Sequence, residues 1–381
     1  MDQKKFNPLV FLMSLGAGGI AVLPFAFLQY TYPHGEGLIQ LSQIGFSSLG
    51  AGSAAFFWGL VAVMAVFSLL HLALSAVLFR KLFSWKKQEY EALAADPLRN
   101  SALLAPFISI VMTMNVFIGP VRFFLPAFAE NLQMLMAPAL VFWALIWALL
   151  LWTVIKLLKT SFEKSFDVSK ISFGWLLYPF ALGMLTVTGA GIAAMAKDPG
   201  IAGVAAFMSI VSGSMGAFLL LVKMISIFKS HFASSGLPEK QFLPSFLIVV
   251  PNITLYAISA FRLAHYFEHN FAAHLSDFVM IGMVGAFAFE TWYLLFGLAL
   301  LSDYFRKHFF EKEFYVSQWG LVCPVVAYAV LGSFVYAVFV PSVVLYGAIV
   351  AVTGVAVALF GVLFARQLKC AGVVRGSVHC T

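Results

Sequence analysis

Charge is what this chain has least of. Of its 381 residues 10% are Asp, Glu, Lys or Arg, while 62% are hydrophobic. The mean hydropathy is +0.96. A water-soluble chain carries about 25% charged residues, so no large solvated surface can form here. Cysteine is scarcer still: Cys323, Cys370 and Cys380 are the whole complement, with no CxxC pair. That indicates neither a zinc knuckle nor a disulfide framework. No P-loop, GxSxG or HExxH motif occurs, and the polar residues do not gather at one depth as an embedded enzyme would need. Nothing points to an enzyme, a cofactor or a metal. A net charge of +7 would speak for nucleic acid only in a soluble chain, and no nucleic-acid partner is expected.

What is present is long apolar runs. About twenty apolar residues cross a bilayer. By that measure there are ten candidate spans: 7–30, 54–79, 101–129, 134–159, 173–195, 201–228, 243–265, 275–300, 316–338 and 341–366. The first follows Lys4 and Lys5 like a secretory signal. Its length and the lack of a small-residue cleavage site before Tyr30 make it an uncleaved span. Of 23 Lys and Arg, 20 fall at the N-terminus, in the loops after even spans, or in the tail. Arg122, Lys197 and Arg262 are on the other side. The positive-inside rule then puts both termini in the cytoplasm, in a multi-pass protein of the cell's inner (plasma) membrane. The expected fold is all-α, with a transmembrane domain over 1–366 and a short cytoplasmic tail over 367–381.

Odd and even spans differ. Pro24, Pro106, Pro179, Pro251 and Pro324 all fall in odd spans, the last four at intervals of 73, 72 and 73 residues. The unit is a two-helix hairpin used five times. A proline kink frees carbonyl groups that need neighbours or water. That places five kinked helices inside, around a pore, and five straight ones outside against lipid. Proline is also common in ordinary membrane helices. Gly16, Gly18, Gly19, Gly189 and Gly191 fit crowding inside, or plain helix contact.

A conduit for anions needs weak, distributed attraction, because a strong site traps the ion. Hydroxyls and amides in odd spans suit this: Ser14, Ser109, Thr113, Asn115, Thr186, Thr188, Asn252, Thr254 and Ser259. Asn252, directly after Pro251, is the leading candidate; others can simply bond back to their own helix. Pro106, Pro179, Pro251 and Gly16 complete the expected lining. Arg122 and Arg262, toward the far ends of odd spans, either draw anions into the mouth or snorkel to headgroups. Glu290 and His71 are ionisable residues inside even spans. Each is a candidate for proton coupling, and Glu290 equally for pairing between helices. In "FRLAHYFEH", Arg262, His265 and Glu268 recur every three residues, a polar cluster for an external mouth. His34, His265, His269 and His274 lie near the outside but do not show a metal site's spacing, so a metal is only the lesser alternative for this cluster.

Four stretches resemble a known family. "MSLGAGGI" (13–20), "DPLRNSALLAPFISI" (96–110), "LPEKQFLPSFLIVVPNITLYAISA" (237–260) and "WGLVCPVVAYA" (319–329) are similar to the first, third, seventh and ninth helix elements of the tellurite-resistance/dicarboxylate transporter family. That family includes bacterial TehA-type proteins and the plant slow anion channels. The resemblance implies ten helices in five hairpins, an inner ring around a pore in each protomer, and a homotrimer. It implies transport of chloride, nitrate, sulfite or malate. The alternative is proton-coupled carriage of a dicarboxylate or sulfite, or a tellurite-resistance role. The family's pore is plugged by a phenylalanine on the ninth helix; the matching position here is Cys323, before Pro324. Either the pore is less occluded or another aromatic substitutes, with Phe117, Phe180 and Phe334 as candidates. A buried cysteine that only fills space is the plain alternative.

Overall fold

Ten helices among the described residues are long and apolar enough to cross a membrane. They are α1 (Pro8–Thr31), α2 (Ala51–Phe83), α3 (Asn100–Phe124), α4 (Leu132–Glu163) and α5 (Phe173–Met195), then α6 (Pro199–Ala233), α7 (Leu243–Phe271), α8 (Ser276–Leu300), α9 (Val316–Val338) and α10 (Val343–Cys370). The structure is a computed structural model and describes residues 6–233, 236–372 and 378–380. Lys4, Lys5 and Arg375, counted above on the basic side, lie outside these, as do 373–377 and 381 of the 367–381 tail. Hydrocarbon offers no hydrogen bonds, so each apolar run satisfies its own backbone as a helix. A two-residue parallel pairing, Glu313–Phe314 with His379–Cys380, is the exception among the described residues. Cys323 is free and Cys370 is disulfide-bonded, a bond the cysteine spacing does not indicate.

Odd and even helices sit in different surroundings. Over their most apolar stretch the odd helices are 61% to 100% buried, the even ones 17% to 39%. α1 contacts α3, α3 contacts α5, α5 contacts α7, α7 contacts α9, and α9 returns to α1. Each even helix lies against the odd helix before it. The even helices turn large apolar side chains outward: Leu69, Leu145, Trp152, Phe207, Phe278 and Leu295 are each more than 60% exposed. Such an exterior belongs in hydrocarbon.

The prolines act differently from the mid-helix kinks expected. All five odd helices open with a 3₁₀ lead-in: Pro8–Val10, Asn100–Leu104, Phe173–Leu176, Leu243–Ile248 and Val316–Leu321. Pro106, Pro179, Pro251 and Pro324 follow within the first three residues of the α-helical part. There a missing N–H costs little, because first-turn donors have no intrahelical partner. Each proline thus marks the change from 3₁₀ to α geometry. Pro24 does lie inside its helix, and Pro120 lies in a π-helical turn, Phe117–Val121, of α3. The third span ends at Phe124 rather than near 129, because Pro126 forces Leu125 into extended geometry before a short helix, Pro126–Glu130.

One contact fixes how closely α5 meets its neighbours. A Cβ on Gly189 would overlap the Trp143 ring of α4 and the Ser209 hydroxyl of α6. Trp143 is fully buried and donates its indole N–H to the Leu185 carbonyl at 3.0 Å. Overpacking such a site costs about 1–3 kcal/mol. Gly189→Ala is therefore expected to lower the melting temperature in detergent, measured by a thermal melt beside the native chain.

Candidate functional site

Two cavities lie within the odd helices. At the end where most Lys and Arg lie, a cavity of about 790 Å³ is lined by the first turns of α1, α3, α5, α7 and α9. Helix N-termini carry the positive end of the backbone dipole. Ser101, Ser172, Ser245 and Ser317 line it from four successive odd helices, 71, 73 and 72 residues apart. Glu89, Asp96 and Arg99 supply its charge. The second cavity, about 660 Å³, opens at the far end and is walled by all five odd helices. The residues lining it include Arg262 and Lys197 but no Asp or Glu among the described residues.

A thin apolar partition separates the two. On α1 the last residue lining the first cavity is Leu12 and the first lining the second is Leu15. The same step of three runs from Leu177 to Phe180, from Ile248 to Pro251 and from Gly320 to Cys323. Three residues of helix rise about 5 Å. On α3 the step is longer, from Ala102 to Met112. Cys323 and Phe180 therefore stand at one level, on the far face of the partition. Apolar constrictions of this kind gate by excluding water.

Nine of the residues expected to line, gate or charge the pore do line the far cavity: Gly16, Asn115, Phe180, Thr188, Pro251, Thr254, Arg262, Cys323 and Phe334. Arg262 donates from Nη1 to the Val187 carbonyl at 2.7 Å, which leaves most of its donors for the cavity. Phe334 packs on Tyr30 at a tilt of 36°, ring centroids 3.9 Å apart, and meets Phe261 edge-on at 5.5 Å. Tyr30, Phe334 and Phe261 all line the cavity together with Arg262, an aromatic cluster in its wall. Tyr30 was not singled out in the sequence, where only its place in the last turn of α1 sets it apart from other aromatics.

Other candidates lie elsewhere. Phe117 is 40% exposed beside Phe128 and does not line either cavity. Asn252 is fully buried, and its amide donates to the Ile248 and Leu176 carbonyls at 2.8 and 3.4 Å. Arg122 is buried and donates to the Leu38 and Ile39 carbonyls at 2.9 and 3.3 Å, holding the α1–α2 loop instead of facing the mouth. Pro106, Pro179 and Pro324 are buried behind the wall. Ser14, Thr113 and His71 meet in a polar knot joining α1, α2 and α3. His71 Nδ1 is 2.8 Å from the Ser14 carbonyl and its Nε2 is 2.9 Å from the Thr113 hydroxyl. Ser75 and Ser109 complete the knot on the Ser14 hydroxyl, at 2.6 and 3.1 Å. Glu290 is fully buried on α8 and accepts at 2.6 Å from the hydroxyl of Thr254, which lines the far cavity. Its second carboxyl oxygen has no hydrogen-bond partner among the described residues. Thr188 and Asn115 line the cavity as a bonded pair, 2.7 Å apart.

No curated protein matches the chain at a significant level. The family of voltage-dependent anion channels matches residues 5–368, nearly the whole length. Ten apolar helices and a family whose members move anions leave one reading of the class: the chain is a multi-pass membrane protein of the voltage-dependent anion channel family.

Proposed function

We propose that the chain is a facilitative channel for small inorganic or organic anions of the chloride, nitrate, sulfite and malate class. The route runs from the vestibule of helix N-termini, across the apolar partition at Cys323 and Phe180, into the far cavity. The observation that carries this reading is the charge of that cavity: Arg262 and Lys197 line it with no carboxylate among the described lining residues. Thr188 and Asn115 add neutral polar groups, and the walls are otherwise largely apolar, as weak, passing contact with an anion requires. In this reading the pore runs within one protomer. The apolar outer faces then meet lipid or sister protomers of a trimer, in the cell membrane with both termini cytoplasmic.

Planar-bilayer recording under chloride, nitrate, malate and sulfite gradients tests the reading. The reversal potential is expected to follow the anion gradient. A reversal potential that follows the cation, or no current from folded protein, would overturn it.

Glu290 favours a second reading, proton-coupled carriage of a dicarboxylate or sulfite. Its carboxyl is one hydroxyl, Thr254, away from the cavity. In a channel, Glu290→Gln leaves anion flux into proteoliposomes close to that of the native chain, and an imposed pH gradient drives no accumulation in either. We expect that result. Accumulation driven by the pH gradient and abolished in Glu290→Gln would establish the carrier instead.

A further inference from the structure

Near the far mouth, α7 carries two histidines that the anion pathway does not use together. His265 and His269 are one helical turn apart, both exposed, with ring centroids 4.2 Å apart in an edge-to-face contact. The four outer histidines together do not show a metal site's spacing in the sequence, but these two, four apart on one helix, share a face as a chelating pair does. Neither ring makes a hydrogen bond among the described residues, so both imidazoles have nitrogen lone pairs to offer. His34 differs, since both of its ring nitrogens face carbonyls, Gly35 at 2.7 Å and Gln29 at 3.0 Å.

The helix end favours a cation at this pair, against the positive charge of Arg262 and Lys197 in the cavity that His265 lines. The helix ends at Phe271, so the two rings lie over its last turns, where free carbonyls carry the negative end of the dipole. Glu268 lies between them in sequence and is fixed by accepting from Leu275 N at 2.9 Å and Ser276 Oγ at 2.6 Å. No third His, Cys, Asp or Glu joins the pair among the described residues, so water fills the remaining coordination positions. His265 also lines the far cavity, and Arg262 lines it less than one turn deeper.

We propose that His265 and His269 form a transition-metal site at the cavity mouth, taking Zn²⁺, Ni²⁺ or Cu²⁺, and that an ion seated there suppresses anion passage. Imidazole nitrogen suits these ions and not Mg²⁺ or Ca²⁺, which take oxygen. A metal with open positions binds an arriving anion directly. It thereby turns a mouth of weak attraction into a trap, and a trapped ion halts flow. The suppression of flux rests on the channel reading above; the binding does not.

Calorimetric titration of the full-length, tag-free protein in detergent with ZnCl₂, beside MgCl₂, tests the binding. One Zn²⁺ site is expected, with no heat from Mg²⁺. His269→Gln is expected to weaken that site about tenfold or more, since losing a ligand costs at least what losing its supporting partner does. His265→Gln should do the same. Both positions are exposed, and gel-filtration elution confirms that the variants fold. No Zn²⁺ binding, or binding unchanged in both variants, overturns the site. In proteoliposomes, external Zn²⁺ is expected to lower chloride flux, EDTA to restore it, and His269→Gln to keep its flux in Zn²⁺. Zinc bound at the pair with flux unaffected overturns the suppression. If no preparation moves chloride at all, the channel reading fails while the titration still decides the site.

Discussion

Cys323→Phe is expected to cut anion flux about tenfold or more. The thiol stands on the far face of the partition, three residues from Gly320 on its other face. At the same level the Phe180 ring lines the cavity from α5. A second benzyl group there would close the gap between α5 and α9 with apolar volume. It would displace the few waters an anion needs to keep part of its hydration. A barrier raised by about 1.4 kcal/mol already gives the tenfold fall. Stripping an anion of even part of its hydration costs at least that. The substitution leaves the backbone alone, because Pro324 and the 3₁₀ lead-in Val316–Leu321 set the local geometry. Cys323→Ala is the control: with a side chain no larger than the thiol, its flux is expected to match or exceed that of the native chain. Equal currents from Cys323→Phe and native protein would remove Cys323 from the conduction path.

Arg262→Gln is expected to have a comparable effect by a different route. Arg262 lines a largely apolar cavity with Lys197 as the only other Lys or Arg among the described lining residues. A unit charge at about 4 Å contributes about 4 kcal/mol at an effective dielectric constant near 20. A third of that, lost from the barrier crossing, is about tenfold in rate. Glutamine keeps a donor for the Val187 carbonyl, which Arg262 holds at 2.7 Å, so the helix contact survives. Conductance should fall, and the reversal potential should move toward indifference between anion and cation. Arg262→Lys should retain most of both. Unchanged conductance and selectivity in Arg262→Gln would mean that the guanidinium serves only the α5–α7 contact.

Much of the architecture was legible from hydropathy and repeat spacing. Ten apolar runs gave ten helices, and the proline interval of 72 or 73 residues marked equivalent places in successive hairpins. The interval did not say what the proline does there. Proline is excluded from helix interiors and welcome in first turns, and the sequence alone does not separate a kink from a junction with a 3₁₀ turn. Side-chain direction was the harder problem. A helix half in water shows its inner face by amphipathic pattern. α5 is buried all round over its most apolar stretch, so no such pattern exists to read. On α7 the difficulty is different: a polar residue can face the lumen or its own backbone, and Asn252, chosen for its polarity beside Pro251, proves to be occupied by backbone carbonyls. Tyr30, on α1, was one aromatic among many until its ring was seen on Phe334. The serines of the inner vestibule were recoverable, since they repeat at nearly the proline interval.

The partition is about one helical turn thick. In the proposed channel, water and salt in both vestibules would short-circuit the rest of the bilayer's thickness. Nearly the whole transmembrane voltage then falls between Gly320 and Cys323 on α9, and between Leu177 and Phe180 on α5. A monovalent ion collects about 2.3 kcal/mol per 100 mV in that single hop rather than over about 30 Å. The focused electric field makes side-chain size at this one level the lever on both resistance and its dependence on potential.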